Sequence, residues 1–221
     1  MSRVVCFIAS RPQDLHQSTV DSLMRQTVSP DMVVFATKTV NKPAINMRVA
    51  TVLNEAFQQV RIGQFDYILR LDGDTVLSSN FLEKNLKLDM DLVGSAGCAQ
   101  LIRIRPFLEL MNGQLNETSD DTYIGLKFRR HGKKVAGYAV KPIHSSTTHH
   151  PMNDYVNRGV QLYKLGYEPV HVVQQCLFKR GAYSLKDLAT VLTYFAHFFR
   201  RTKKLDIATW TWRYQVKRLV K

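Results

Sequence analysis

The sequence predicts an α/β fold: a mixed sheet flanked by helices, with an amphipathic helical extension at the C-terminus. Three observations carry this. Strand-like and helix-like segments alternate through the first half of the chain, the pattern of a sheet with crossover helices. Asp72-Gly73-Asp74 stands at the end of the third apolar run, at the edge where open α/β sheets bind ligands. From about Ser184 the chain becomes aromatic and basic at helical spacing.

The elements follow in order. Val4 to Ala9 is a continuous apolar run of strand length. It is too brief for the apolar core of a leader peptide, and Arg11-Pro12-Gln13-Asp14 stands where a small-residue cleavage site is expected. Gln13 to Gln26 carries Leu15, Val20, Leu23 and Met24 as a helical face, and Met32 to Ala36 is a second short strand. Met47 to Val60 places Val49, Val52, Leu53, Ala56, Phe57 and Val60 at three-and-four spacing, an amphipathic helix. Phe65 to Leu71 is the third strand. Leu101 to Arg105 reads as a strand and Phe107 to Met111 as a short helix broken at Asn112-Gly113. Ser119-Asp120-Asp121 is a capped start for a helix over Thr122 to Arg130, stopped by Gly132. Val135 to Val140 returns to strand character, and Asp154 to Leu165 is a helix ending at Gly166. Leu185, Leu188, Val191, Leu192, Phe195, Phe198 and Phe199 then share one helical face. A basic knot (Arg200-Arg201-Thr202-Lys203-Lys204) separates them from a last helix over Ile207 to Val220. At 221 residues, 45% hydrophobic, the chain fits one domain over 1–180 with a tail over 181–221.

Cys6, Cys98 and Cys176 are odd in number and far apart, which argues against a disulfide framework and a cysteine zinc site, and fits a reducing, cytoplasmic setting. The net charge of +13 points to an anionic partner. Residues 180 to 221 hold ten Lys/Arg against Asp187 and Asp206, so most of that charge lies in the tail. No run approaches the ~18 to 20 apolar residues of a spanning helix. Basic, amphipathic helices with Trp210 and Trp212 suit a peripheral position on an anionic membrane surface. Packing on the preceding domain or pairing as a homodimer are the other uses of such helices.

Two carboxylates flanking a glycine at a strand end can approach a divalent cation and the diphosphate it carries, since hard cations take oxygen ligands. Asp-Gly is also a favoured turn pair. Asp120-Asp121 supplies a carboxylate for general base catalysis, or a helix cap that adds ~1 kcal/mol. His144, His149 and His150 cluster beyond the Val135 strand, as metal ligands or as a polar loop.

Together these features resemble family 2 glycosyltransferases over residues 3 to 166. Val4 to Arg11, followed by Ser22-Leu23-Met24-Arg25-Gln26-Thr27, is similar to the family's opening segment. Asn54 falls where the family has an asparagine in the helix before the metal strand, and Tyr67 to Asp74 resembles its DxD strand. Asp120 to Gly132 resembles the Glu-Asp motif and its helix, with Asp121 at the catalytic aspartate. His149-His150-Pro151 with Leu162 to Gly166 resembles a His-bearing strand end and the next helix, favouring His149 over His144.

The resemblance implies the GT-A fold, a Rossmann-like mixed sheet, and an inverting transfer from a nucleotide-diphosphate sugar donor to a glycan or lipid-linked acceptor. Asp72 and Asp74 would hold Mn²⁺ or Mg²⁺ with His149. Asp72, Arg11 and Asn54 would contact the donor, and Asp121 would be the base. One departure stands out: Val34-Phe35-Ala36-Thr37-Lys38 lacks the acidic residues that contact the family's nucleobase. A basic nucleic-acid-binding protein is the competing reading. The chain has no RNP-like strand, zinc-finger spacing or basic-zipper heptad to support it, and the expectation is no nucleic acid partner.

Overall fold

The computed structural model describes residues 2–94, 98–144, 151–178 and 184–219. The chain divides into two compact units, Met1–Thr147 and Thr148–Lys221.

In the first unit β1 (Val4–Ala9) is buried at every position, as a central strand covered on both faces must be. It pairs in parallel with β2 (Met32–Ala36) and β3 (Tyr67–Asp72). Helices α1 (Gln17–Met24) and α2 (Ile45–Gln59) make the crossovers. Two short elements follow β3: β4 (Thr75–Val76) and α3 (Phe81–Leu86). The chain then builds the far half of the sheet from β5 (Leu92–Val93) and β6 (Ala99–Arg103). Helices α4 (Ile104–Met111) and α5 (Asp120–Arg130) lead to β7 (Val135–Ala136). The sheet order is β2-β1-β3-β6-β5-β7. Strand β6 runs antiparallel to both its neighbours, β3 and β5, while β5 and β7 are parallel. This is the mixed α/β sheet flanked by helices that the sequence predicts.

Strand alternation divides the core. Val4, Cys6 and Ile8 point to one face with Tyr67, Leu69 and Leu71, packing on Leu23, Phe81 and Leu82. On the other, Phe7 meets Phe57 of α2 edge-on at 4.8 Å, and Phe57 meets Phe107 of α4 at 5.6 Å. Such pairs contribute about 0.5–1.5 kcal/mol beyond the area they bury.

The expected strand over Val135 to Val140 forms only at Val135–Ala136. Buried Asn85 takes the backbone that follows, accepting from Ala139 N at 2.9 Å and donating to the Val140 carbonyl at 3.0 Å. A side-chain amide thus replaces the ladder. Farther on, β8 (Ile143–His144) pairs antiparallel with β4.

The second unit is helical: α6 (Met152–Lys164), α7 (Pro169–Val173), α8 (Leu185–Phe199) and α9 (Ala208–Leu219). Ser184 caps α8, its hydroxyl accepting from Asp187 N at 3.0 Å and donating to the Asp187 carboxylate at 2.6 Å. Leu162, Tyr163, Val172, Cys176, Val191 and Tyr194 form this unit's core. Helices α6 and α8 approach closely at Gly159, where a Cβ would collide with the Thr190 carbonyl oxygen. Alanine gains ~1 kcal/mol of helix propensity over glycine, but the obstacle here is backbone. Gly159→Ala is therefore expected to lose about 1–3 kcal/mol net, read as an earlier midpoint in urea. Trp210 stacks on Tyr214 at 4.9 Å. Trp212 lies under the Lys204 ammonium, 5.6 Å from the ring centre. Both indoles are half-buried.

Candidate active site

The site grows from β3. Its period of two puts Arg70 and Asp72 on one face, and Arg70 is only 4% exposed. A buried guanidinium requires carboxylates. Arg70 Nη2 lies 2.8 Å from Asp120 Oδ2, an ion pair without hydrogen-bond alignment, and 3.5 Å from Asp72 Oδ1. Across the antiparallel pairing, Arg70 faces Gln100. The Gln100 amide accepts from Arg70 Nη1 at 3.3 Å and donates to the Asp121 carbonyl at 3.4 Å. One fully buried amide thus bridges β3 to the start of α5.

The electrostatics are unbalanced. Loss of hydration opposes the charge on Arg70, but Asp120, Asp72 and Asp121 overcome it and raise the guanidinium above its usual value. Loss of hydration pushes Asp72 up to about 7. Arg70 resists this, while Asp120, Asp74 and Asp121 add to it. Asp120 is raised for the same reasons, with Asp121 adding and Arg70 opposing. Three carboxylates, Asp72, Asp120 and Asp121, therefore act on the Arg70 guanidinium, and Asp74 adds its charge to Asp72; repulsion of this kind is what a divalent ion relieves. Asp72 keeps 31% of its side-chain surface accessible, so an arriving group can reach it.

The Asp72-Gly73-Asp74 turn is held by its backbone. Gly73 N donates to the Ala9 carbonyl at 3.0 Å; the Gly73 carbonyl accepts from His16 N and Thr19 Oγ1, both at 2.9 Å. A Cβ on Gly73 would lie 2.5 Å from both Cβ and Oγ of Ser10, so only glycine lets the turn sit this close to the end of β1. Gly73→Ala is expected to cost about 1–3 kcal/mol, measured by thermal denaturation.

Asp121 is the second residue of α5, and Thr122 donates to its carboxylate from both N and Oγ1. The expected cap is not made: Ser119 forms no side-chain capping bond, and Asp120 turns inward to Arg70, where ionic pairing outweighs a cap. Asp120 is 4% exposed, whereas Asp121 is half-buried.

Asn54 serves the segment that leads here. Its amide donates to the Leu115 carbonyl at 3.0 Å and accepts from Leu115 N at 2.7 Å. Asn46 donates to the carbonyls of Glu117 and Thr118 at 2.6 and 2.7 Å. Arg11 lies just past the end of β1, whose Ala9 pairs with Asp72, and its half-exposed guanidinium is paired with Asp14. The structure thus brings Asp72, Asp74 and Asp121 into one electrostatic cluster, sets Arg11 at the same edge, and commits Asn54 to Leu115. His149 and His150 lie outside the described residues. The backbone of His144 pairs with Thr75, one residue past Asp74. Sequence reasoning missed Arg70 and Gln100; the signal was a charged and an amide residue inside otherwise apolar strands.

Among the described residues, no three His, Cys, Asp or Glu side chains are grouped to hold a metal ion. The donor set nevertheless fits a hard cation. Asp72 and Asp74 offer oxygen donors two residues apart at the end of β3, and such ions take few protein carboxylates and complete their shell with phosphates and water.

No family model matches the chain, and no curated protein matches it. Solved structures do. A variant of Drosophila β-1,4-galactosyltransferase 7, in complex with manganese, UDP-Gal and xylobiose, aligns at 18% identity over 66% of this chain and 72% of its own, with a TM-score of 0.46. S. aureus TarS 1-349 aligns at 11% identity over 90% of this chain and 72% of its own, with a TM-score of 0.49. TarS 1-349 in complex with UDP aligns at 10% identity, with a TM-score of 0.43.

Proposed function

We propose that the chain is a metal-dependent, inverting glycosyltransferase of the GT-A type, moving a sugar from a nucleotide-diphosphate donor to the hydroxyl of a glycan or lipid-linked acceptor. The observation that carries this reading is the division of labour between Asp120 and Asp121. Asp120 is buried on Arg70, whereas Asp121, charged beside Asp72, is only half-buried.

Asp72 and Asp74 would hold Mn²⁺ or Mg²⁺, with His149 as the further ligand that the sequence resemblance supplies. Such an ion, when bound, offsets the charge that builds on the leaving nucleoside diphosphate. Asp121 takes the acceptor's hydroxyl proton as that oxygen forms its bond to the anomeric carbon. The bond from that carbon to the donor phosphate breaks, and its electron pair leaves with the nucleoside diphosphate. One displacement inverts the configuration. Arg70 stays beneath the carboxylates and holds Asp72 and Asp120 in place. Arg11, at the same edge, would meet the donor diphosphate.

A thermal-shift screen of UDP-, GDP- and CMP-sugars, each with Mn²⁺ and with EDTA, tests the reading. A ligand at about 100 times its Kd stabilises the folded chain by about 2.7 kcal/mol. One nucleotide is expected to raise the Tm in Mn²⁺ and not in EDTA. No shift with any of them removes the nucleotide-sugar donor.

A further inference from the structure

The second unit carries an exposed apolar surface. Helix α8 has two faces. Asp187, Thr190, Val191 and Tyr194 are buried, and Thr190 bonds to the Tyr155 carbonyl of α6 at 3.0 Å. On the other side Leu185, Leu188, Leu192, Ala196 and Phe199 recur at three-and-four spacing, and all five are exposed. Leu185 is 79% exposed, Leu192 62% and Phe199 76%. An unbroken apolar stripe in water is not a solvent face.

Charge identifies what covers it. Residues 148 to 221 contain thirteen Lys/Arg against four Asp/Glu, nine of the chain's net +13. Arg200, Arg201 and Lys203 are exposed just beyond Phe199, where the stripe ends. A second copy would bring two strongly positive surfaces together, and a nucleic acid backbone offers nothing for the leucines. An anionic lipid surface satisfies both halves, with acyl chains for the stripe and headgroups for the cations. At 15 residues, α8 is about 22 Å long, short of the ~30 Å hydrocarbon core. Among the described residues no helix is long and apolar enough to cross a membrane, so α8 would lie flat.

We propose that the Leu185–Phe199 stripe of α8, with Arg200, Arg201 and Lys203 at its end, docks the protein on an anionic phospholipid surface. The proposal stands independently of the transfer reading. The test is flotation of the full chain with vesicles of phosphatidylcholine alone and of phosphatidylcholine with phosphatidylglycerol. Binding is expected on the anionic vesicles only, and weaker at high salt. Leu192→Glu/Phe199→Glu and Arg200→Glu/Arg201→Glu/Lys203→Glu are each expected to lower it at least ~10-fold. All these side chains are exposed, so both variants should melt as the native chain does. Asp121→Asn should float normally, which separates failure of this proposal from failure of the catalytic one. No flotation of the native chain, or unchanged flotation of Leu192→Glu/Phe199→Glu, overturns the proposal. A dimer in sedimentation that Leu192→Glu/Phe199→Glu dissolves also overturns it, in favour of a second copy.

Discussion

Asp121→Asn is expected to bind nucleotide sugar as the native chain does and to transfer it about 10²–10⁴ times more slowly. The substitution keeps shape and removes the proton-accepting oxygen. Its Oδ1 can still accept from Thr122, so the first turn of α5 should survive. Product formation under saturating donor gives the rate, and the Mn²⁺-dependent thermal shift reports donor binding separately. Normal turnover would move the base elsewhere, and Asp120 could not take the role while it is held on Arg70. Asp120→Asn makes the complementary case: it should lose stability first, with activity following the folded fraction.

The second large effect belongs to Arg70. Arg70→Met deletes the buried cation of the site and leaves Asp72 and Asp120 as like charges near each other. Removing one partner of a buried pair costs about 3–5 kcal/mol, or roughly 6–20 °C in Tm for a chain of this size. Asp120→Asn added to Arg70→Met removes one of the stranded charges, so the double variant should be more stable than Arg70→Met alone. Such non-additivity is the signature of groups acting as a unit. Equal and additive losses would mean that the ion pair is not what supports the site. Urea denaturation of the three variants decides it.

The parts of this architecture that were legible in the sequence were those with long periods. The apolar run of β1, the amphipathic turn of residues along α2 and the strand ending in Asp72 each repeat their signal several times. Helix α3 and strands β5 and β7 have six, two and two residues, too few for a period to show. The end of β7 was misread for a different reason: Asn85, more than fifty residues away in sequence, captures the backbone of Ala139 and Val140, and no local pattern records that. The aspartates of the site could be read as motifs. Their division of labour could not, because it depends on Arg70 reaching Asp120 across fifty residues of chain, and local propensity had assigned Asp120 to a cap. Asn54 was found by position but expected at the donor, whereas its amide is closed onto Leu115.

That closure makes α2 a ruler. Asn46 and Asn54 are eight residues apart, about 12 Å along a helix. The stretch from Leu115 to Thr118 that they grip spans about 10 Å when extended, and it runs in the opposite direction along the helix. The loop is measured against a rigid rod before it delivers Asp121. Its length therefore sets a position: one residue inserted between Thr118 and Asp120 would leave both asparagines satisfied and still carry Asp121 about 3 Å from its place.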